Sequence, residues 1–164
     1  MSRVSTNVQR RLDRVSRRRK RVVADLSYQR RPFLYEFDAS LRLSGLGEHH
    51  DEIRRQTGLE PTHSHLKGEL RSPRSKMKPW EEDLWVLQSP LGNQASLDEH
   101  LEWLWIKIAP HKDYFAKLAA RSVQADVVLG CLTESPYPYL TTKSSSLQLL
   151  KELNVGVSFN VTFV

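Results

Sequence analysis

Residues 33–44 read FLYEFDASLRLS, and this stretch decides the fold. Apolar side chains occupy the odd-numbered positions, and polar side chains occupy the even-numbered positions after residue 34. Side chains along a β-strand point alternately to opposite faces. The period-two pattern therefore predicts a strand with one buried face, whose odd-numbered residues from 33 to 43 face the core.

The C-terminal stretch shows the same alternation. Residues 155–163 read VGVSFNVTF, which again places an apolar side chain at every odd-numbered position. This pattern predicts a closing strand with its odd-numbered residues facing the core. Short apolar or β-branched runs at residues 84–87 and 125–132 predict two further strands.

Two short helices are predicted from their end signals. Residues 48–57 form the first, with Ile53 facing inward and Gly58 at the C-terminal position that favours a left-handed backbone. The second follows residues 144–146, three serines that are expected to cap it. Asn154 is expected to end that helix before the closing strand begins.

A longer helix is predicted from residue 97. Ser96 and Glu99 match the S-x-x-E capping box, and an apolar stripe continues to residue 121. Pro110 lacks a backbone N–H, so we expect a kink or a break near residue 109. Trp103 and Trp105 lie about 200° apart around a helix, which predicts that one of them is exposed.

These elements predict one α+β domain over residues 33–164. We expect a largely antiparallel sheet with the helices packed on one face, a layer architecture related to the ferredoxin-like folds. The chain has 39% apolar and 27% charged residues, which is typical of a soluble domain. A single cysteine, Cys131, and the lack of a long apolar run predict a cytoplasmic protein without a membrane-spanning segment.

The basic residues concentrate in residues 1–32, which we call the basic arm. The arm holds 11 of the 25 Lys and Arg residues and two of the 19 Asp and Glu residues, so its net charge is +9 and that of residues 33–164 is −3. The arm can be interpreted as a disordered tail, a transit peptide or the product of a misplaced translation start. The alternative is an electrostatic tether for nucleic acid. Its candidate contacts are Arg17, Arg18, Arg19, Lys20 and Arg21.

Residues 60–79 form a polar segment that we expect to lack regular structure. A loop of about 20 residues is long for a compact domain, and long loops often carry function. We interpret it as a recognition surface. The candidate binding residues in and beside it are Glu60, Thr62, His63, His65, Lys67, Arg71 and Trp80.

The sequence contains no motif that supports a catalytic or a metal-binding site. His63 and His65 could supply imidazoles to a metal, but no helical pair of histidines accompanies them. Cys131 falls in a predicted strand, where a lone cysteine is usually a buried apolar residue, and Ser64 lacks a nucleophile motif. His100 and His111 are interpreted as structural or surface residues. We therefore predict no catalytic residue, no metal and no cofactor.

Several ordered motifs resemble the bacterial family called domain of unknown function 4279 (DUF4279). The similarity covers about residues 34–164 and rests on residues 39–45, 58–62, 67–68, 85, 96–104 and 153–163. The resemblance implies a fold and no activity. We expect a non-enzymatic domain that binds a protein partner, for example as an immunity or accessory protein. The alternatives are a nucleic-acid-associated protein that uses its arm and an enzyme with its site in the loop at residues 60–78.

Overall fold

The computed structural model describes residues 34–74 and 76–164. The basic arm, with Arg17–Arg21, lies outside the described residues, and its predicted role stays a prediction. The described part of the chain belongs to a compact unit that spans Leu34–Val164.

Five strands form one sheet in the order β2-β3-β1-β4-β5. Their bounds are β1 Tyr35–Ser44, β2 His63–His65, β3 Leu84–Gln88, β4 Gln124–Thr133 and β5 Gly156–Phe163. All neighbouring pairs are antiparallel except β4 and β5, which are parallel. The predicted α+β class with a largely antiparallel sheet is therefore confirmed.

Strand β1 lies in the centre of the sheet, and from residue 35 its odd-numbered side chains face the core as predicted, whereas Phe33 lies outside the described residues. Ala39, Leu41 and Leu43 are fully buried, and each belongs to the hydrophobic core. The register pairs Leu41 with Leu87 of β3 on one side and with Val127 of β4 on the other. The odd-numbered residues of β1 thus join three strands into one apolar surface.

Four helices pack on this surface: α1 His50–Thr57, α2 Leu97–Ile108, α3 Lys112–Arg121 and α4 Gln148–Leu153. A 3-10 turn at Gly47–His49 precedes α1, and Gly58 ends it with a φ of 69°. Each helix contributes buried apolar side chains to the same core: Ile53, Leu101, Leu104, Phe115, Leu149 and Leu153. The helices therefore cover one face of the sheet, as predicted.

Helix α2 begins and ends where its sequence signals predict. The Ser96 hydroxyl accepts from the Glu99 N–H, and the Glu99 carboxylate accepts from the Ser96 N–H at 2.7 Å, which completes a capping box. A 3-10 turn at Ala109–His111 contains Pro110 and separates α2 from α3. The long helix is thus broken near residue 109.

Two predictions about helix side chains and caps are wrong. Trp103 and Trp105 are both half-buried against the core, because neighbouring elements flank α2 on two sides. The serines at 144–146 form a 3-10 turn with Leu147 and do not cap α4 through their side chains. Instead, the Asp98 carboxylate accepts from the Thr142 hydroxyl at 2.6 Å and from the Lys143 N–H at 2.9 Å.

The closing strand has the predicted orientation, but the predicted burial of its odd-numbered side chains is wrong. Val157 and Phe159 pair with Val127 and Leu129 of the core, so their side chains point to the helix-covered side of the sheet. They are nevertheless 43% and 59% exposed, and Phe163 is 59% exposed. The helices pack over β1, β3 and β4, and they leave β5 uncovered. Only Val155, before the strand, packs against the core.

Within the described ranges, no helix combines the length and the apolar content that crossing a bilayer requires.

Candidate functional site

The polar segment at residues 60–79 contains a short strand, contrary to the prediction that it lacks regular structure. The Thr62 N–H donates to the Val86 carbonyl at 2.7 Å, and the Gln88 N–H donates to the Thr62 hydroxyl at 2.9 Å. These bonds guide the chain along β3, and His63–His65 continue the pairing as β2. Sheet hydrogen bonds with β3 outweigh the weak strand propensity of this polar sequence.

Trp80 organises the residues that follow β2. Its indole stacks on the His65 imidazole, with ring centroids 3.9 Å apart and ring planes 14° apart. The Arg71 guanidinium lies over the same indole, 4.0 Å from the ring centroid. Aromatic stacking contributes about 0.5–1.5 kcal/mol and an exposed cation–π contact about 0.5–1 kcal/mol, so the two contacts together give this segment a defined shape.

Backbone hydrogen bonds close the segment that we call the Trp80 loop, residues 66–80. The Gly68 N–H donates to the Trp80 carbonyl at 2.8 Å, and the Trp80 N–H donates to the Glu69 carbonyl at 3.0 Å. Gly68 has a φ of 81°, a conformation that glycine adopts at little cost. The Glu69 carboxylate accepts from the Leu66 N–H at 2.9 Å, which fixes the turn at the start of the loop.

The two histidines of β2 face the same side of the strand and interact. His65 Nδ1 and His63 Nε2 lie 3.3 Å apart, a distance at which one ring donates a hydrogen bond to the other. Burial lowers the pKa of His65, and the neighbouring His63 lowers it further. Ser64 points to the opposite face of β2, so this hydroxyl does not meet the imidazoles.

A buried carboxylate anchors the nearby start of α1. Asp83 accepts from the Gly47 N–H at 2.7 Å and lies 3.2 Å from His50 Nε2. Burial raises the pKa of Asp83, but the hydrogen bonds from Gly47 and His50 outweigh it, so the net pKa is lowered. This carboxylate therefore stays ionised and holds α1 against the segment that leads from Trp80 into β3.

A comparison with family models bears on these residues. The model of the family described as Domain of unknown function (DUF4279) matches residues 35–163. The chain belongs to this family. Neither a curated protein nor a solved structure matches the chain. Membership covers the whole described sheet of this DUF4279 protein and assigns no activity to it.

The predicted binding residues of the DUF4279 protein separate into two groups. His63, His65, Arg71 and Trp80 come together in the stack. The other three lie apart from it and have different surroundings. Glu60 forms an exposed ion pair with Arg54 at 2.7 Å, Thr62 bonds to the β3 backbone, and Lys67 is exposed at the turn.

Apolar side chains of the Trp80 loop were not among the predicted binding residues. Leu66 and Leu70 are 50% and 51% exposed although the loop around them is ordered. The same loop carries five exposed basic residues: Lys67, Arg71, Arg74, Lys76 and Lys78. The signal in the sequence was the presence of leucines in an otherwise polar segment. The loop thus exposes two leucines on a segment that is rich in exposed basic residues.

Neither a metal-binding cluster nor a reactive thiol is present in the described part of the chain. No group of three or more His, Cys, Asp or Glu side chains there could hold a metal ion. Cys131 is buried in β4, and burial raises the pKa of its thiol. A buried thiol with a raised pKa is a poor nucleophile, which agrees with its interpretation as a small core residue.

A separate depression of about 390 Å³ lies on the face of the sheet opposite the helices. Asp38 lies at its wall, and its carboxylate occupies the space that a Cβ on Gly130 would need. The Asn93 amide donates to the Glu36 carboxylate at 2.5 Å on the same wall. Gly130 is therefore required by the packing of its cross-strand partner Asp38.

Proposed function

We propose that this DUF4279 protein is a non-enzymatic binding domain that recognises a protein partner through the Trp80 loop. An accessory or immunity role is one form that such a domain takes. The observation that carries the proposal is the sandwich of Trp80 between His65 and Arg71. It orders a loop that exposes the side chains of Leu66 and Leu70.

Ordering matters because a partner then meets a surface that loses little conformational entropy on binding. Leu66 and Leu70 supply apolar area, and the Trp80 indole with the Arg71 guanidinium supplies the residue types that dominate binding hot spots. The exposed basic residues of the loop favour a partner with acidic groups beside an apolar patch.

Site-specific crosslinking tests the proposal. The photoreactive residue benzoylphenylalanine replaces Leu70 in the full chain, and a matched chain carries it at Ile106, an exposed residue of α2. We expect a discrete crosslinked protein from position 70, identified by mass spectrometry, and none from position 106. The same crosslinked protein from both positions would contradict the proposal. A crosslinked product that disappears after nuclease treatment would also contradict it.

The identified partner then allows a quantitative check. We expect the double variant Lys67→Ala, Arg71→Ala to bind it at least about 30-fold more weakly, the loss of a hot spot of about 2 kcal/mol. Both side chains are exposed, so the free energy of unfolding should fall by no more than about 1 kcal/mol. A collapse of the thermal midpoint would instead assign these residues to the fold.

The basic arm supports a second candidate function, nucleic-acid association. Its net charge of +9 contrasts with −3 for the rest of the chain, and it precedes the residues that match the family. A segment with this charge attracts phosphates independently of their sequence.

A further inference from the structure

Strand β5 forms one edge of the sheet and is exposed on both of its faces. On the helix side, Val157, Phe159 and Phe163 are 43%, 59% and 59% exposed. On the other side, Asn160 and Thr162 are exposed. Such an edge presents unpaired backbone groups together with apolar side chains, and soluble proteins usually protect edges of this kind.

The opposite edge of the same sheet is protected. Strand β2 has three residues, His63–His65, and follows Pro61, so it offers little backbone for pairing. Strand β5 has eight residues and contains no Lys, Arg, Asp, Glu or Pro. The two edges therefore differ in length and in the devices that prevent association.

The backbone groups that face outward belong to the residues with exposed apolar side chains. The Val164 N–H donates to the Thr133 carbonyl of β4 at 3.2 Å. Backbone N–H and C=O groups alternate in direction along a strand, so the even-numbered residues of β5 face β4. The outward groups are those of Val157, Phe159, Val161 and Phe163.

We propose that β5 pairs with β5 of a second copy of this chain, antiparallel and about a two-fold axis at Asn160. In this register Val157 faces the copy's Phe163, and Phe159 faces the copy's Val161. On the other side of the sheet, Ser158 faces the copy's Thr162 and Asn160 faces itself. Every outward N–H and C=O of the four odd-numbered residues then has a partner.

The sequence of β5 favours a second copy as the occupant. Pairing the strand with itself places no like charges opposite each other, because the strand has no charged residue. It creates four pairs of Phe with Val, and aromatic–β-branched pairs stabilise antiparallel strands. The pairing also uses up the β5 edges of both copies, so it closes as a two-fold dimer and does not propagate.

Disulfide trapping in the full chain tests the register. Asn160→Cys places two thiols directly opposite at a non-hydrogen-bonded pair, where the Cα atoms lie about 4.5 Å apart and a disulfide can form. Thr162→Cys is the matched control on the same face. Its two copies are offset by four residues, about 13 Å along the strand, which is too far for a disulfide.

We expect Asn160→Cys to give a covalent dimer under mild oxidation and Thr162→Cys to stay largely unlinked. Native Cys131 is buried and identical in both variants. Equal crosslinking of the two variants would overturn the proposed register, and a lack of crosslinking in both would overturn the dimer.

Sedimentation velocity of the unmodified chain over a wide concentration range provides a second test. We expect reversible dimers, and we expect Phe159→Lys to weaken them by about tenfold or more, since each dimer loses two Phe–Val pairs. Phe159 is mostly exposed, so the thermal midpoint of Phe159→Lys should equal that of the unmodified chain at concentrations where both are monomeric. If the chain stays monomeric at every concentration, β5 does not pair with β5 of a second copy, and the proposal is refuted.

Discussion

His100 lies on α2 with no exposed surface, and its imidazole lies against the Phe37 backbone of β1. Burial lowers the pKa of His100. The carboxylates of Asp38 and Glu99 and a hydrogen bond with the Phe37 backbone offset only part of this effect. The imidazole is therefore neutral in the folded protein. In this buried site a protonated imidazole would cost more free energy than a neutral one.

The lowered pKa of His100 predicts that the folded protein becomes less stable as the pH falls. The unfolded chain binds a proton at His100 below about pH 6.5, whereas the folded chain resists it, so stability is present above that pH and falls as the pH drops. We expect His100→Leu to remove this contribution, which has a limiting slope of about 1.4 kcal/mol per pH unit.

Urea unfolding of the wild type and of His100→Leu between pH 7.5 and 5 measures the difference. His65 also has a lowered pKa, but it titrates in both proteins and cancels in the comparison. If the free energy of unfolding depends on pH in the same way for both proteins, protonation of His100 does not destabilise the folded state, and the prediction is wrong.

At the scale of elements, the Trp80 loop owes its order to side-chain stacking as well as to its backbone bonds. Trp80→Ala removes the contacts with His65 and Arg71, worth about 1–2.5 kcal/mol together. We expect the Gly68 amide, which donates to the residue 80 carbonyl, to exchange with solvent at least about tenfold faster.

Hydrogen exchange resolved at single amides checks this expectation. Amides of β1 serve as an internal reference, and Ile106→Ala serves as a control that removes an exposed apolar side chain elsewhere. Unchanged exchange at Gly68 in Trp80→Ala would mean that the backbone bonds alone order the loop.

Local signals predicted those elements whose causes are local. The alternation in β1, the capping box at Ser96 and the break at Pro110 each act within a few residues, and each is confirmed. The exposure of Phe159 depends on whether a helix covers β5, which period-two spacing does not encode. Strand β2 depends on bonds from Thr62 to Gln88, far apart in the sequence.

The candidate site shows the same division. The sequence indicated His63, His65, Arg71 and Trp80 as one polar segment, and the structure brings these four together. Their stacking order could not be predicted, because it depends on the pairing of β2 with β3, which lie far apart in the sequence. Glu60 was grouped with them by proximity in the chain, but it pairs with Arg54 of α1 instead.

At the scale of the whole molecule, the unequal charge of arm and domain predicts a salt-dependent affinity for nucleic acid. If Arg17–Arg21 each neutralise one phosphate of duplex DNA, the slope of log affinity against log salt should be near −4 to −5. We expect glutamine at all five positions to bring the slope near zero. Fluorescence anisotropy with a labelled duplex at several salt concentrations measures it.

A variant with five basic residues of the domain replaced is the matched control for that experiment: Arg55, Arg74, Lys76, Lys78 and Lys151. This control changes the net charge equally and leaves the arm intact. Equal loss of affinity in both variants would refute a tether in the arm and would indicate a nonspecific effect of net charge.

Strands β2 and β5 lie at opposite edges of the sheet, so the Trp80 loop is far from the proposed dimer contact. Joining two copies along β5 places their loops at the ends of a sheet ten strands wide, about 45 Å apart at the usual strand spacing. Such a molecule is bivalent. A partner that repeats its epitope at that spacing would be held with an avidity about 10²–10⁴ times the affinity of one loop, whereas a partner with a single epitope would gain nothing.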